Sequence, residues 1–76
     1  MSSRLPRVTA DELLRALHRD GWVEVRQSGS HVILENPKKS GRAVVPRHAG
    51  IKLKLKVVAD VLAQTGLTPE ELRELL

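Results

Sequence analysis

Apolar positions along the chain follow two different periods, and the change between them marks out the elements. Ala10, Leu13, Leu14 and Leu17 recur at three- and four-residue spacing and predict a helix with one apolar stripe. Thr9-Ala10-Asp11-Glu12 has the form of a capping box: Thr9 accepts from the amide of Glu12, and Glu12 reaches back. Gly21 stands where a left-handed C-cap would end that helix. From Trp22 the period becomes two. Three strands follow, Trp22 to Gln27, His31 to Glu35 and Arg42 to Pro46. Ser28-Gly29-Ser30 supplies the first turn, and the polar loop Asn36-Pro37-Lys38-Lys39-Ser40-Gly41 supplies the second.

Alternation assigns the faces. Val23, Val25, Val32, Leu34, Ala43 and Val45 are expected to form one apolar face covered by helices. Trp22, Glu24, Arg26, His31, Ile33, Glu35, Arg42 and Val44 are expected on the open face, and a one-residue register change would reverse this. A second helix is predicted from Leu53 or Leu55 to Gln64, with Leu55, Val58, Val61 and Leu62 as its stripe and Gly66 as its C-cap. It has no clear N-cap. Thr68-Pro69-Glu70-Glu71 is another capping box and opens a short last helix bearing Leu72, Leu75 and Leu76. The expected fold is α+β, a three-stranded antiparallel sheet with helices on one face. Its α-β-β-β-α order is that of a double-stranded-RNA-binding-type domain, extended by a short C-terminal helix. Residues 1–76 form a single domain, with 1–8 as a flexible lead-in.

A chain of 76 residues makes one small domain with no room for a deep cavity, so a shallow surface site is expected. Trp22 is the single aromatic residue, which leaves an aliphatic core. The net charge of +4 suits a polyanionic partner, and equally a solvated basic face. There is no cysteine, which excludes disulfides and thiol chemistry. No apolar run approaches the ~20 residues of a membrane span. No membrane association is expected, and the expected location is the cytoplasm.

Candidate chemistry is narrow. His31 and His48 are two metal donors at most, and no carboxylate cluster has ligand spacing, so neither a metal nor another cofactor is expected. Ser28 and Ser30 flank His31 in a turn and serve the turn. Acid–base cleavage of RNA asks for less, because the ribose 2′-OH is itself the nucleophile. One imidazole and cations at the phosphate then suffice. His31 fits this role, and it also fits an ordinary polar residue at a strand start. His48 is a second candidate, as general acid or phosphate contact. Arg26, Lys38, Lys39, Arg42, Arg47, Lys52, Lys54 and Lys56 are the candidate phosphate contacts. Neither a glycine clamp nor an aromatic platform is present, which argues against KH, RRM and OB-type recognition.

Gly21-Trp22, Arg26-Gln27-Ser28-Gly29-Ser30-His31, Asn36-Pro37-Lys38-Lys39 and Val45-Pro46-Arg47-His48 resemble, in order, the motifs of HicA-type toxins. Val61-Leu62-Ala63-Gln64-Thr65-Gly66-Leu67-Thr68 resembles that family's closing helix and turn. The resemblance implies a double-stranded-RNA-binding-like fold, an endoribonuclease acting on messenger RNA within a toxin–antitoxin module, and a HicB-type antitoxin. Any homo-oligomer is then expected only through the antitoxin complex. It places the catalytic histidine on His31, with Gly29 and Ser30 as the turn that positions it, and the histidine after Val-Pro on His48. Two departures stand out. Lys56-Val57 replaces the Gly-Thr pair that usually opens the second helix, and an aliphatic Val32-Ile33-Leu34 follows the histidine where an aromatic residue is common. A non-catalytic double-stranded-RNA-binding module and a protein-interaction domain are the alternatives.

Overall fold

A computed structural model describes residues 4–48 and 50–76; residues 1–3 of the expected lead-in fall outside them. The order is α1 (Ala10–Arg19), β1 (Val23–Ser28), β2 (His31–Glu35), β3 (Arg42–Pro46), α2 (Leu55–Thr65) and α3 (Pro69–Leu75). The strands form one antiparallel sheet in the order β1-β2-β3. Helices α1 and α2 lie against it, and α3 packs on α1. This is the double-stranded-RNA-binding-like α+β arrangement with an added C-terminal helix.

Local sequence explains the helix ends. Thr9 and Glu12 exchange hydrogen bonds at the start of α1, and Thr68 and Glu71 do the same at α3. The end of α1 is closed by two backbone bonds, Gly21 N–H to the His18 carbonyl and Trp22 N–H to the Leu17 carbonyl. That pair is a Schellman motif, and it needs Gly21 at its positive φ of 98°. Helix α2 starts at Lys54 with no side-chain cap, as its sequence suggests.

The core lies between the sheet and the helices. Leu13, Leu14, Leu17, Val32, Leu34, Ala43, Val45, Val58, Val61 and Leu72 are buried there. Val8 is also buried, and its carbonyl accepts from the Leu53 amide at 2.7 Å. The end of the expected lead-in is therefore tied to the segment that precedes α2.

The first strand departs from the expected faces. Val23 and Val25, assigned to the covered face, are 53% and 51% exposed, whereas Trp22, assigned to the open face, is 1% exposed. The ladder gives the reason. Val23 pairs with Glu35 and Glu24 with Leu34, so Trp22 and Glu24 turn toward the helices and Val23 turns away. Val25 is then an extra residue in a bulge, and Arg26 pairs with Ile33. The bulge returns Arg26 to the open face, where alternation had placed it. In the helix that follows the sheet, Leu55 is exposed, not part of the buried stripe formed by Val58, Val61 and Leu62.

Candidate functional site

The open face of the sheet holds the candidate site at the end where the β1–β2 hairpin turns. Ser28 and His31 pair directly, so the loop is the two residues Gly29-Ser30. Gly29 has φ of 59°, and no residue other than glycine has positive φ among the described residues. One positive φ at the first loop position is the pattern of a type II′ turn and excludes type I′. A Cβ at Gly29 would meet nothing within 4 Å, so the demand for glycine is conformational and not steric. Gln27 adds a side-chain bond to the Gly29 carbonyl at 3.2 Å. The turn delivers His31 to the first position of the central strand with its side chain exposed.

Two neighbours frame His31. Pro46 stands directly across from it on β3, and Arg26 lies across from Ile33, the next residue along β2 on the same face. The Arg47 amide donates to the Ser30 carbonyl at 2.6 Å, which closes the end of β3 onto the turn. His48 follows immediately and is exposed. The His31 end of the sheet thus gathers Arg26, Gly29, Ser30, His31, Arg47 and His48.

The other candidate cations sit elsewhere. Arg42 pairs with Glu35 at the opposite end of β2 and lies 3.7 Å from its carboxylate. Lys38 and Lys39 belong to the loop beyond that end. The Lys39 ammonium donates to Asp20 Oδ2 at 3.1 Å and to the Thr65 carbonyl at 3.2 Å, and it lies 5.9 Å from the centre of the Trp22 ring. It therefore ties the loop to the ends of α1 and α2. Lys52, Lys54 and Lys56 line the entry to α2. Lys52 donates to the Arg7 carbonyl, and Lys56 pairs with Asp60. Arg47 is paired with Asp11 at 3.2 Å. Arg26, Lys38 and Lys54 keep side chains without an ionic partner among the described residues.

Sequence reasoning placed Ile33 and Val44 on this face but missed Val23 and Val25. Ile33 is nearly buried although it points away from the core, and Val23, Val25 and Val44 flank it. The exposure of Val23 and Val25 follows from the reversed face, which alternation alone could not reveal. Gln64 was missed as well: its side-chain oxygen accepts from the Val44 amide at 2.9 Å and so occupies the outer edge of β3. Among the described residues no group of three or more His, Asp or Glu side chains is placed to hold a metal ion.

A search of curated proteins finds no match. A family model described as HicA toxin of bacterial toxin–antitoxin matches residues 10–67, from the first turn of α1 to the residue before the Thr68 cap. That span contains the hairpin, the His31 strand and the whole of α2. With well over half of its length matched, the chain belongs to the HicA toxin family of bacterial toxin–antitoxin modules.

Proposed function

We propose that this toxin is a metal-independent endoribonuclease that cleaves messenger RNA, with His31 as its general base. The observation that carries the reading is an exposed imidazole at the start of the central strand, sharing its face with Arg26, whose guanidinium has no ionic partner among the described residues. RNA brings its own nucleophile. His31 takes the proton of a ribose 2′-OH as the 2′-oxygen attacks the adjacent phosphorus. The bond from phosphorus to the 5′-oxygen breaks, and that oxygen takes a proton from His48 or from water. The products are a 2′,3′-cyclic phosphate and a 5′-hydroxyl. Histidine suits both transfers because imidazole titrates close to neutral pH. Arg26 offsets the negative charge that builds on the phosphorane oxygens. Arg47 and Lys54 hold flanking phosphates, and DNA, lacking the 2′-OH, is not cleaved.

A toxin must be masked by its antitoxin. The open face supports a HicB-type partner seated over His31, because Val23, Val25, Ile33 and Val44 offer apolar contact beside the basic site. A net charge of +4 attracts an acidic protein as readily as RNA. The substrate places the activity in the cytoplasm; among the described residues no helix is long and apolar enough to cross a membrane.

The test is His31→Ala expressed without antitoxin. Loss of growth arrest and intact cellular RNA are expected; wild-type arrest and RNA decay would overturn the assignment. Purified wild-type protein should also generate cyclic-phosphate ends in the presence of chelator. RNA that is bound but left whole would instead favour a non-catalytic binding module.

A further inference from the structure

A cleft of about 360 Å³ opens beside Pro46, the residue paired with His31. Pro46, Ile51, Leu53 and Val57 form its apolar walls, and His48 stands in its lining. Lys52 and Lys54 complete it. The volume lies at the small end of ligand sites, which is the scale of one nucleotide. The wall is anchored: Leu53 donates to the Val8 carbonyl, and Lys52 bridges to Thr9. Ile51 is 63% exposed, so its side chain is open to contact at the mouth of the cleft, beside Lys52 and Lys54.

We infer that this cleft takes one unstacked nucleobase of a single-stranded RNA, next to the phosphate presented to His31. The inference rests on the ribonuclease reading and adds the form of the substrate. Apolar walls suit the faces of a base, and lysines on the rim suit the phosphates on either side of it. Trp22, the single aromatic residue, is buried, so a base finds no aromatic platform on the surface. The His48 ring is then the planar group available for stacking in the cleft. A duplex cannot use this site, because its base faces are stacked inside the helix and its minor groove presents only 2′-hydroxyls and base edges. The fold is of duplex-binding type, but the cleft selects a strand whose bases can turn outward.

The experiment uses two probes. Adenosine and uridine monophosphates are titrated into the full chain while the methyl resonances of Ile51, Leu53 and Val57 are followed, with ribose 5-phosphate as the base-free comparison. The mononucleotides are expected to shift these methyls, and ribose 5-phosphate is not. Binding of single-stranded and duplex RNA is then measured on the His31→Ala background, so that cleavage does not interfere. Adding Ile51→Ala is expected to weaken single-strand binding about tenfold and to leave duplex binding unchanged. Equal shifts with ribose 5-phosphate, or equal losses for both RNA forms, would overturn the inference. Failure of the two ideas can be told apart. RNA cleavage by wild type with silent cleft methyls removes the subsite and keeps the nuclease. Base binding in the cleft by a wild-type protein that never cleaves removes the nuclease and keeps the subsite.

Discussion

Arg26 stands opposite Ile33, not opposite Val32, because Val25 is an extra residue in the β1 strand. Without the bulge, pairing onward from Glu24 and Leu34 would turn Arg26 toward the helices. With it, the guanidinium shares the open face with His31. Arg42 offers the same charge, but it sits at the far end of β2 and is paired with Glu35. Arg26→Ala is therefore expected to lower RNA cleavage by about ten- to a hundredfold, the worth of a charge-assisted contact of ~1.5–3 kcal/mol. Arg42→Ala should change it by less than about threefold. Arg26 is exposed, so the thermal midpoint should barely move. Cleavage rates of the two folded variants on one RNA check this, and equal losses would contradict the placement of Arg26.

The bulge also explains which parts of the molecule could be read from sequence. The α1 stripe, both capping boxes and the Gly21 cap involve residues within one or two turns of each other, and these features formed as expected, whereas Leu55 at the start of α2 did not join its buried stripe. The hairpin at Gly29 is equally local. The faces of β1 are not local. They depend on register against β2, and one inserted residue switches the alternation midway along the strand. Trp22, Val23, Glu24 and Val25 were assigned to the wrong faces for that reason, and Arg26 reached its expected face only through the bulge. The pairing of Lys39 with Asp20 and Thr65 joins residues 19 and 26 positions apart, so charge alone marked it as a phosphate contact. The ordered motifs around His31 were legible, but the cleft beside Pro46 required the loop after β3 to be placed in space.

Gly29→Ala should separate stability from positioning. A residue other than glycine held at positive φ costs about 1–3 kcal/mol, and Gly29 and Gly41 both have positive φ with open space around them. Gly41 lies at the end of the sheet away from His31. Alanine at either position should lower stability in urea by a similar amount. Only Gly29→Ala should also reduce cleavage per folded molecule, because it alters the turn that presents His31. A Gly29→Ala protein with full specific activity would show that the turn does not position the imidazole.

Lys39→Ala should act on stability and not on RNA. Its ammonium contacts Asp20, the Thr65 carbonyl at the end of α2, and the Trp22 ring. The ion pair is partly exposed, at 38% and 25%, so solvent screening limits its worth. Together with the cation–π contact, a loss of ~1 kcal/mol is expected. For a domain of this size that lowers the thermal midpoint by about 4–8 °C. Lys38→Ala, with no ionic partner to lose among the described residues, should leave the midpoint in place. A reversed outcome, with Lys39→Ala stable but weak in RNA binding, would return Lys39 to the phosphate contacts.

Glu12 makes the capping box of α1 sensitive to acid. Its carboxylate accepts from the Thr9 backbone amide at 2.8 Å, and this bond, helped by the charge of Lys52, holds its pKa below the ordinary value of 4.5. A lowered folded-state pKa means that the charged cap stabilises fully above pH 4.5, the value in the unfolded chain. That contribution fades as pH falls below it and through the folded-state value. Glu12→Gln keeps an acceptor but removes the charge, so its thermal midpoint should fall less steeply on acidification than that of wild type. Parallel acid limbs for the two proteins would show that the ionised form of Glu12 contributes nothing to α1.

Gln64 closes the outer edge of the sheet. An edge strand leaves every second amide free to pair with another chain. On β3 the Val44 amide is taken by the Gln64 side chain, and Pro46, two residues on, has no amide to offer. At these two positions β3 therefore offers no free amide to an added strand. In Gln64→Ala the Val44 amide passes to water, which costs less than about 1 kcal/mol at an exposed site. The sensitive readout is local hydrogen exchange. Val44 should be protected in wild type and exchange much faster in the variant, while Val45, whose partner is Val32 inside the sheet, should be unaffected. Val44 exchanging at the same slow rate in both proteins would mean that something other than Gln64 guards the edge.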